Sequence, residues 1–198
     1  AQRMAQSNAE VAPATVIDDA DVDSWAERDD VTARLIRAVV AACRAEPSLN
    51  AWYDSKAGAR RLHKKIDLGM AVDTEEGLFV PVMRNVAVRD KADLRRGLER
   101  MKADIRARKI PPEELRGATI TLSNFGSIGG RYAAPVIVPP QVAILSSGRI
   151  EPRVVAVEGL PTVRRTLPLS LTFDHRAVTG GEAARFLRAA IEDLEKPS

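Results

Sequence analysis

A histidine that follows a strand-like run near the end of the chain is the best candidate for chemistry. Residues 169–173 alternate between apolar and polar side chains, and Asp174, His175 and Arg176 follow directly. A neutral imidazole can take a proton near pH 7 from a thiol or an activated hydroxyl. If the chain is an enzyme, His175 is therefore the natural general base, although a lone histidine at a strand end is more often structural.

The residues around His175 predict a stiff turn between a strand and a helix. Neighbouring side chains on a strand point to opposite faces, so we expect Asp174 to pair with Arg176 rather than with His175. Gly180 and Gly181 then precede an amphipathic helical pattern. The other histidine, His63, lies in a basic run, and we expect it to be solvated.

The sequence lacks the residue patterns of several other kinds of active site. We find no set of metal ligands, no cysteine–histidine nucleophile pair and no Gly-x-Ser-x-Gly sequence. The glycine-rich segment 126–130 lacks the Gly-Lys-Ser/Thr of a phosphate-binding loop. The single cysteine, Cys43, lies on an apolar helical stripe, so a packed thiol is favoured over a redox or nucleophilic role.

Length and composition favour one α/β domain. The 198 residues carry a formal net charge of +3, which is too small to indicate nucleic-acid binding. We find no run of transmembrane length, no apolar signal-peptide core and no paired cysteines, so neither a membrane nor a disulfide framework is expected. A single cysteine fits a reducing compartment.

The hydrophobic periodicity predicts a mixed sheet with helices packed against it, a two-layer α/β sandwich. Helices are predicted at residues 31–45, with Asp29 or Asp30 as the cap, at 90–109, at 111–115 and after Gly181. Residues 24–30 are expected to form a loop. Strands are predicted at residues 14–22, 51–53, 66–72, 78–82, 119–123, 142–147, 150–157 and 162–173.

Several motifs resemble those of one family. Residues 173–180, Phe-Asp-His-Arg-Ala-Val-Thr-Gly, are similar to the His-x-x-x-Asp-Gly signature of the dihydrolipoamide acyltransferases, the core subunits of 2-oxoacid dehydrogenase complexes. Segments 78–86, 112–126 and 135–145 resemble other blocks of this family in the same order. The resemblance therefore covers nearly the whole chain, and it implies the fold of chloramphenicol acetyltransferase.

The resemblance also implies a reaction. The family transfers an acyl group directly between two thiols, those of coenzyme A and of dihydrolipoamide on a swinging lipoyl domain. By this resemblance His175 would deprotonate the incoming thiol, and the hydroxyl of Ser123 would stabilise the oxyanion without forming an acyl-enzyme. The family places the histidine and the serine on different subunits of a homotrimer, and trimers can assemble into a larger hollow core.

Further partners and a compartment follow from the same resemblance. The expected partners are a lipoyl domain, a decarboxylase and a dihydrolipoamide dehydrogenase, with no metal. The expected location is the bacterial cytoplasm, or the mitochondrial matrix in a eukaryote. We interpret residues 1–198 as the catalytic domain alone, because neither a lipoyl domain nor a partner-binding domain is recognisable in them.

The sequence departs from the family at the turn. Thr179 stands where the motif usually has Asp or Asn, and a threonine cannot supply a charge. The spacing Thr179-x-x-Glu182 is that of a capping box, so we expect the threonine to act as a helix N-cap and the salt bridge of an acidic residue at this position to be lost. A second departure is the segment between Val22 and Val31, which is shorter than the family usually shows at a place where a helix is expected.

The acyl group is the least specified feature. The small residues Ser127, Gly129 and Gly130 most resemble those of the branched-chain members and would leave room for isobutyryl or isovaleryl groups. An acetyl-transferring member is the alternative. Two other interpretations stay open: a structural core subunit without activity, which Thr179 would suit, and a hydrolase that uses the serine and the histidine.

Overall fold

The computed structural model of the chain describes residues 10–26, 29–74 and 77–197. One mixed sheet forms its centre, with the strand order β1-β10-β8-β7-β4-β5; β6 pairs with β4, and β9 pairs with β10. β4, β7 and β8 run parallel, and the remaining pairs are antiparallel. The strands are β1 Pro13–Asp21, β2 Ala51–Asp54, β3 Ala59–Leu62, β4 Leu68–Thr74, β5 Gly77–Phe79, β6 Val82–Met83, β7 Ile120–Asn124, β8 Ala143–Ser147, β9 Glu151–Val157 and β10 Leu160–Asp174.

Three α-helices have their bounds within the described residues: α1 Val31–Ala45, α2 Lys91–Arg106 and α3 Gly180–Leu194. An aspartate caps α1 and α2, since Asp30 accepts from the backbone N–H of Ala33 and Asp90 from that of Asp93. Short 3₁₀ turns lie at Pro47–Leu49, Val86–Val88 and Pro112–Leu115. The described residues contain no helix long and apolar enough to cross a membrane.

The two faces of the sheet differ in chemistry. Leu122, Leu145 and Leu171 are opposite one another on β7, β8 and β10, and all three are fully buried in the core shared with the helices. Neighbouring residues on each strand point to the other face, where Ser123, Ser146 and Ser170 are aligned. A hydroxyl-bearing row therefore crosses the sheet on the face away from the core.

A separate hairpin, β2–β3, lies beside the main sheet. Its strands pair Ala51 with Leu62 and Tyr53 with Arg60. The backbone N–H of Tyr53 donates to the carbonyl of Pro140 at 2.8 Å, and the Trp52 indole donates to the carbonyl of Ala118 at 2.8 Å. These bonds fix the hairpin to segments that enter β7 and β8.

The predicted architecture is confirmed in outline. α1 has the predicted bounds, α2 lies within its predicted segment, and α3 begins at Gly180 rather than after Gly181. The helix predicted at 111–115 is a 3₁₀ turn, and the predicted strands all occur with ends that shift by up to two residues. The exceptions are segment 78–82, which is divided between β5 and β6, and β3, which was not predicted. Residues 27 and 28 lie outside the described residues. They belong both to the loop predicted at 24–30 and to the shortened segment between Val22 and Val31.

Candidate active site

His175 lies directly after β10, on an exposed turn whose backbone is fixed on both sides. Its N–H donates to the carbonyl of Ala12 at 2.8 Å. The N–H groups of Ala177 and Val178 both donate to the carbonyl of Asp174 at 2.9 Å, which closes the turn. The imidazole is thus delivered by the end of a buried strand into a position open to substrate.

Asp174 and Arg176 form the predicted pair. Arg176 donates from Nε and Nη2 to the Asp174 carboxylate, with a shortest distance of 2.6 Å. The carboxylate is buried, and its Oδ1 also accepts from the N–H groups of Arg176 at 3.1 Å and Ala12 at 3.3 Å. A buried carboxylate with this many donors stiffens the turn without touching the imidazole.

Thr179 is the N-cap of α3, as the sequence predicted. Its hydroxyl accepts from the N–H of Glu182 at 3.3 Å, and Glu182 Oε2 accepts from the N–H of Thr179 at 2.7 Å. The two residues therefore form a complete capping box. Gly180 is the first residue of α3, and an added Cβ there would meet nothing within 4 Å.

A second ion pair, which the sequence did not predict, also holds the turn. Arg60 on β3 donates to Glu182 Oε1 at 3.0 Å and to the carbonyl of Ala177 at 2.6 Å. The sequence could not show this ion pair because its partners are 122 residues apart. The charge missing at position 179 is thus present at position 182.

Glu182 is held in its charged form. Burial raises the pKa of its carboxyl group, but hydrogen bonds from Thr179 and Arg60 more than offset this, and the pKa falls to about 2 from an ordinary value of 4.5. Glu182 is therefore ionised throughout the neutral range, which keeps both the cap and the ion pair intact.

Ser123 lies near the end of β7, half-buried on the face of the sheet away from the helices. It borders a cavity of about 580 Å³. Most of the wall is apolar, and Arg116 on the exposed rim is the charged side chain among the described residues that line it. Other lining residues are Trp52, Ala71, Leu78, Val80, Val136 and Ile144. The hydroxyl of Ser123 is thus one of few polar groups beside an apolar space.

The residues predicted for the acyl pocket lie elsewhere in this chain. Ser127, Gly129 and Gly130 belong to the turn after β7 and do not line the cavity beside Ser123. Gly129 and Gly130 have φ angles of +145° and +90°, which explains the glycines by backbone conformation. Their role in acyl binding stays a prediction.

His175 and Ser123 do not meet within one chain. Ser123 is aligned with Ser146 on β8, and Ser146 with Ser170 on β10, while His175 follows Ser170 by five residues. With about 3.3 Å per residue and about 4.8 Å between strands, their Cα atoms lie roughly 20 Å apart. Their side chains cannot span that distance, so a site that uses both requires a second copy of the chain.

The expectation that His63 is solvated is wrong. Its ring packs edge-on against Trp52 with centroids 4.5 Å apart, and its Nε2 is buried without a hydrogen-bond partner among the described residues. Desolvation lowers the pKa of His63, and the charge of Arg61 lowers it further. The cause is the β2–β3 hairpin, which brings the two rings together.

The single cysteine is packed in the core, as the sequence predicted. Cys43 is buried, and burial raises the pKa of its thiol, as expected of a packed thiol. Residues 10–26, 29–74 and 77–197 contain no cluster of three or more His, Cys, Asp or Glu side chains that could hold a metal ion. The sequence did not indicate Arg60, Tyr53 or Trp52 as residues near the site. Arg60 and Tyr53 contact the turn of His175, and Trp52 borders the cavity beside Ser123, through partners that are distant in the sequence.

Two curated proteins are similar to this chain in sequence. A lipoamide acyltransferase component of the branched-chain α-keto acid dehydrogenase complex from Pseudomonas aeruginosa is 40% identical over 164 residues, which is 83% of this chain and 38% of that protein. The mitochondrial succinyltransferase component of the 2-oxoglutarate dehydrogenase complex from Mus musculus is 38% identical over 161 residues, 80% of this chain and 36% of that protein. The chain thus spans well under half the length of the curated relatives it matches.

Solved structures share the fold. The cubic core of a pyruvate dehydrogenase multienzyme complex superposes with a TM-score of 0.92 at 28% identity, covering 98% of this chain and 86% of that chain. A chloramphenicol acetyltransferase superposes with a TM-score of 0.61 at 15% identity, covering 98% and 94%, which confirms the predicted fold alone.

The family model of the catalytic domain of 2-oxoacid dehydrogenase acyltransferases matches residues 1–198. Together with relatives at 40% and 38% identity, this match confirms the resemblance read from the motifs. The chain belongs to the family of 2-oxoacid dehydrogenase acyltransferases, as a catalytic domain.

Proposed function

We propose that this chain transfers an acyl group between coenzyme A and dihydrolipoamide, as the core subunit of a 2-oxoacid dehydrogenase complex. The observation that carries the proposal is a base and a hydroxyl donor, His175 and Ser123, in a member of this family, with the serine beside an apolar cavity. The lipoyl group would come from a domain outside residues 1–198.

His175 acts first, on the incoming thiol. A free thiol has a pKa of about 8.5, so only a small fraction is thiolate at pH 7. The imidazole takes the thiol proton, and the sulfur attacks the carbonyl carbon of the thioester, which forms a new C–S bond. The fixed turn backbone holds the imidazole where the thiol arrives.

Ser123 acts on the tetrahedral intermediate. Its hydroxyl donates a hydrogen bond to the oxyanion, and removing one such donor costs about 10²- to 10³-fold in kcat in other acyl-transfer enzymes. The intermediate then collapses, the original C–S bond breaks, and the departing thiolate takes the proton back from the imidazolium. Ser123 forms no covalent bond in this scheme.

The separation of the two residues supports a homotrimer. A cyclic assembly repeats one contact between neighbours, so each interface can unite the His175 of one subunit with the Ser123 of the next. The sheet face that bears Ser123 also exposes Ile17, with 53% of its surface accessible, and is a suitable interface. Trimers would build a larger hollow core, as the pyruvate dehydrogenase relative forms a cubic one.

The acyl group we propose is branched-chain. The largely apolar wall suits an isobutyryl or isovaleryl group better than the carboxylate of a succinyl group. The relative with 40% identity is named for the branched-chain complex, although a succinyltransferase component reaches 38%. An acetyl-transferring enzyme is the alternative.

The other partners and the compartment follow from the same proposal. The core would bind a decarboxylase and a dihydrolipoamide dehydrogenase, and it would receive acyl groups from a lipoyl domain. The compartment would be the bacterial cytoplasm, or the mitochondrial matrix in a eukaryote, consistent with the Pseudomonas and mitochondrial relatives.

One assay tests the proposal against its competitors. Acetyl, isobutyryl and succinyl thioesters of coenzyme A are each offered with free dihydrolipoamide, with water as the competing acceptor. We expect acyl-dihydrolipoamide to form fastest from the isobutyryl donor. Thioester loss without acyl-dihydrolipoamide would indicate a hydrolase, and an assembled oligomer that transfers nothing would indicate a structural core subunit.

A further inference from the structure

Arg60 reaches the turn of His175 from a different part of the fold. It lies on β3, and its guanidinium contacts two acceptors on either side of Thr179: the carbonyl of Ala177 at 2.6 Å and Oε1 of Glu182 at 3.0 Å. A planar guanidinium holds two acceptors in a fixed relative position, which a single ammonium cannot do. This contact therefore ties the turn to the start of α3.

The ion pair between Arg60 and Glu182 is largely buried, and both carboxylate oxygens of Glu182 accept hydrogen bonds. The side chains of Arg60 and Glu182 are only 27% and 17% exposed, so water screens their attraction less than it does for a surface pair. The other carboxylate oxygen of Glu182 is occupied by the N–H and hydroxyl of Thr179, at 2.7 and 3.0 Å. Arg60, Glu182 and Thr179 thus form one continuous network.

The hairpin that carries Arg60 is itself anchored. The backbone N–H of Tyr53 donates to Pro140, and the indole of Trp52 donates to Ala118, both at 2.8 Å. The ring of Tyr53 also lies 5.0 Å from the guanidinium carbon of Arg176, a cation–π contact with the same turn. The anchored hairpin therefore contacts the turn through two side chains, Arg60 and Tyr53.

We propose that Arg60 is a positioning residue for His175. Through Ala177 and Glu182 it holds the turn that an acidic residue at position 179 would hold in the His-x-x-x-Asp-Gly motif. The kinetic part of this inference rests on the proposed acyl transfer. Because small displacements of a catalytic group cost large factors in rate, loosening this turn lowers kcat while substrate binding is largely kept.

The first test compares Arg60→Gln with Arg61→Gln, a matched change at the exposed neighbour on β3. We expect Arg60→Gln to lower kcat about tenfold with KM within about twofold, since misplacement acts on the chemical step. Arg61→Gln should retain the wild-type kcat. Arg60→Lys should fall in between, because its ammonium keeps the charge but can serve only one acceptor well.

The second test asks whether Arg60 acts through Glu182. Glu182→Gln keeps the capping spacing, since glutamine also serves in a capping box, but it removes the charge. Arg60→Gln should then lower kcat much less in the Glu182→Gln background than in the wild type, because the pair acts as a unit. Equal losses in both backgrounds would contradict action through Glu182.

A third measurement is independent of activity. Amide hydrogen exchange at Ala177, Val178 and Thr179 should be faster in assembled Arg60→Gln protein than in Arg61→Gln protein. Wild-type protein that transfers no acyl group would overturn the proposed function, while faster exchange would still support the positioning role. Unchanged exchange together with unchanged kcat in Arg60→Gln would overturn the inference. If Arg60→Gln fails to assemble, exchange and kcat are measured in Arg60→Lys instead, and the same outcomes support or overturn the inference.

Discussion

The turn of His175 and the strand of Ser123 position their side chains by different means. The turn depends on charged contacts: Asp174 with Arg176, and Glu182 with Arg60. Ser123 depends on the register of parallel strands, with Ala71 on one side and Ser146 on the other. His175, the proposed base, is exposed on its chain, whereas Ser123, the proposed hydroxyl donor, borders an apolar cavity.

Because of this difference, the two halves of the proposed site should be sensitive to different kinds of substitution. A turn held by ion pairs and caps responds to changes of charge, and to acid that protonates its carboxylates. A residue held by sheet register responds to changes of volume, because close-packed side chains do not absorb an added group easily. Each half should therefore fail under a different kind of substitution.

The largest effects should come from removing either functional group. His175→Ala should lower kcat by about 10²- to 10⁴-fold, the usual contribution of a general base, and Ser123→Ala by about 10²- to 10³-fold. Steady-state acyl transfer measures both. Melting temperature and oligomer size serve as controls and should match the wild type. Retention of a tenth or more of wild-type kcat in either variant would remove that residue from the proposed mechanism.

A change of volume should act on the serine half selectively. Ala71 lines the cavity and is aligned with Ser123, so Ala71→Leu would fill space where we place the acyl group. We expect kcat/KM to fall about tenfold more for an isobutyryl donor than for an acetyl donor, because the leucine side chain would occupy space that the two additional methyl groups of isobutyryl need. Equal losses for the two donors would show that the cavity does not hold the acyl group.

A change of cap should act on the histidine half. Thr179→Ala removes the hydroxyl that accepts from Glu182, and it should destabilise the protein by about 1 kcal/mol in denaturant titrations. Thr179→Asp restores the usual residue of the motif and a good N-cap, so it should be tolerated in both stability and kcat. A severe loss with aspartate would contradict the assignment of position 179 as a cap.

The smallest effect should appear as a pH dependence. The pKa of Glu182 is lowered to about 2 from 4.5, so its contribution to stability is complete above pH 4.5 and is lost as the pH falls towards 2. Thermal melting should show the advantage of wild type over Glu182→Gln shrinking by about 2 °C between pH 6 and pH 3. A constant difference would mean that Glu182 is not held in its charged form.

The sequence predicted local features well and distant contacts poorly. The bounds of α1 and the capping box of Thr179 follow from spacings of three or four residues, which are visible in any linear sequence. β3 escaped prediction because its Ala-Arg-Arg-Leu sequence has no alternating pattern. The contacts of Arg60 and His63 were missed with it, since both depend on how the β2–β3 hairpin folds.

The separation of His175 from Ser123 is determined by the order of the strands. The family resemblance named both residues, but only the strand register shows that one chain keeps them roughly 20 Å apart. No periodicity could reveal this separation, because it depends on which strands are neighbours. Because of this separation, the proposed mechanism requires that His175 and Ser123 come from two different subunits.

Mixed trimers test that requirement most directly. His175→Ala and Ser123→Ala subunits are unfolded together in equal amounts, refolded and assayed for acyl transfer, with each variant refolded alone as the control. In a cyclic trimer each mixed assembly contains one interface with both functional residues, so about a quarter of wild-type activity should return. Activity no greater than that of the separate variants, in trimers shown to be mixed, would contradict a site shared between subunits.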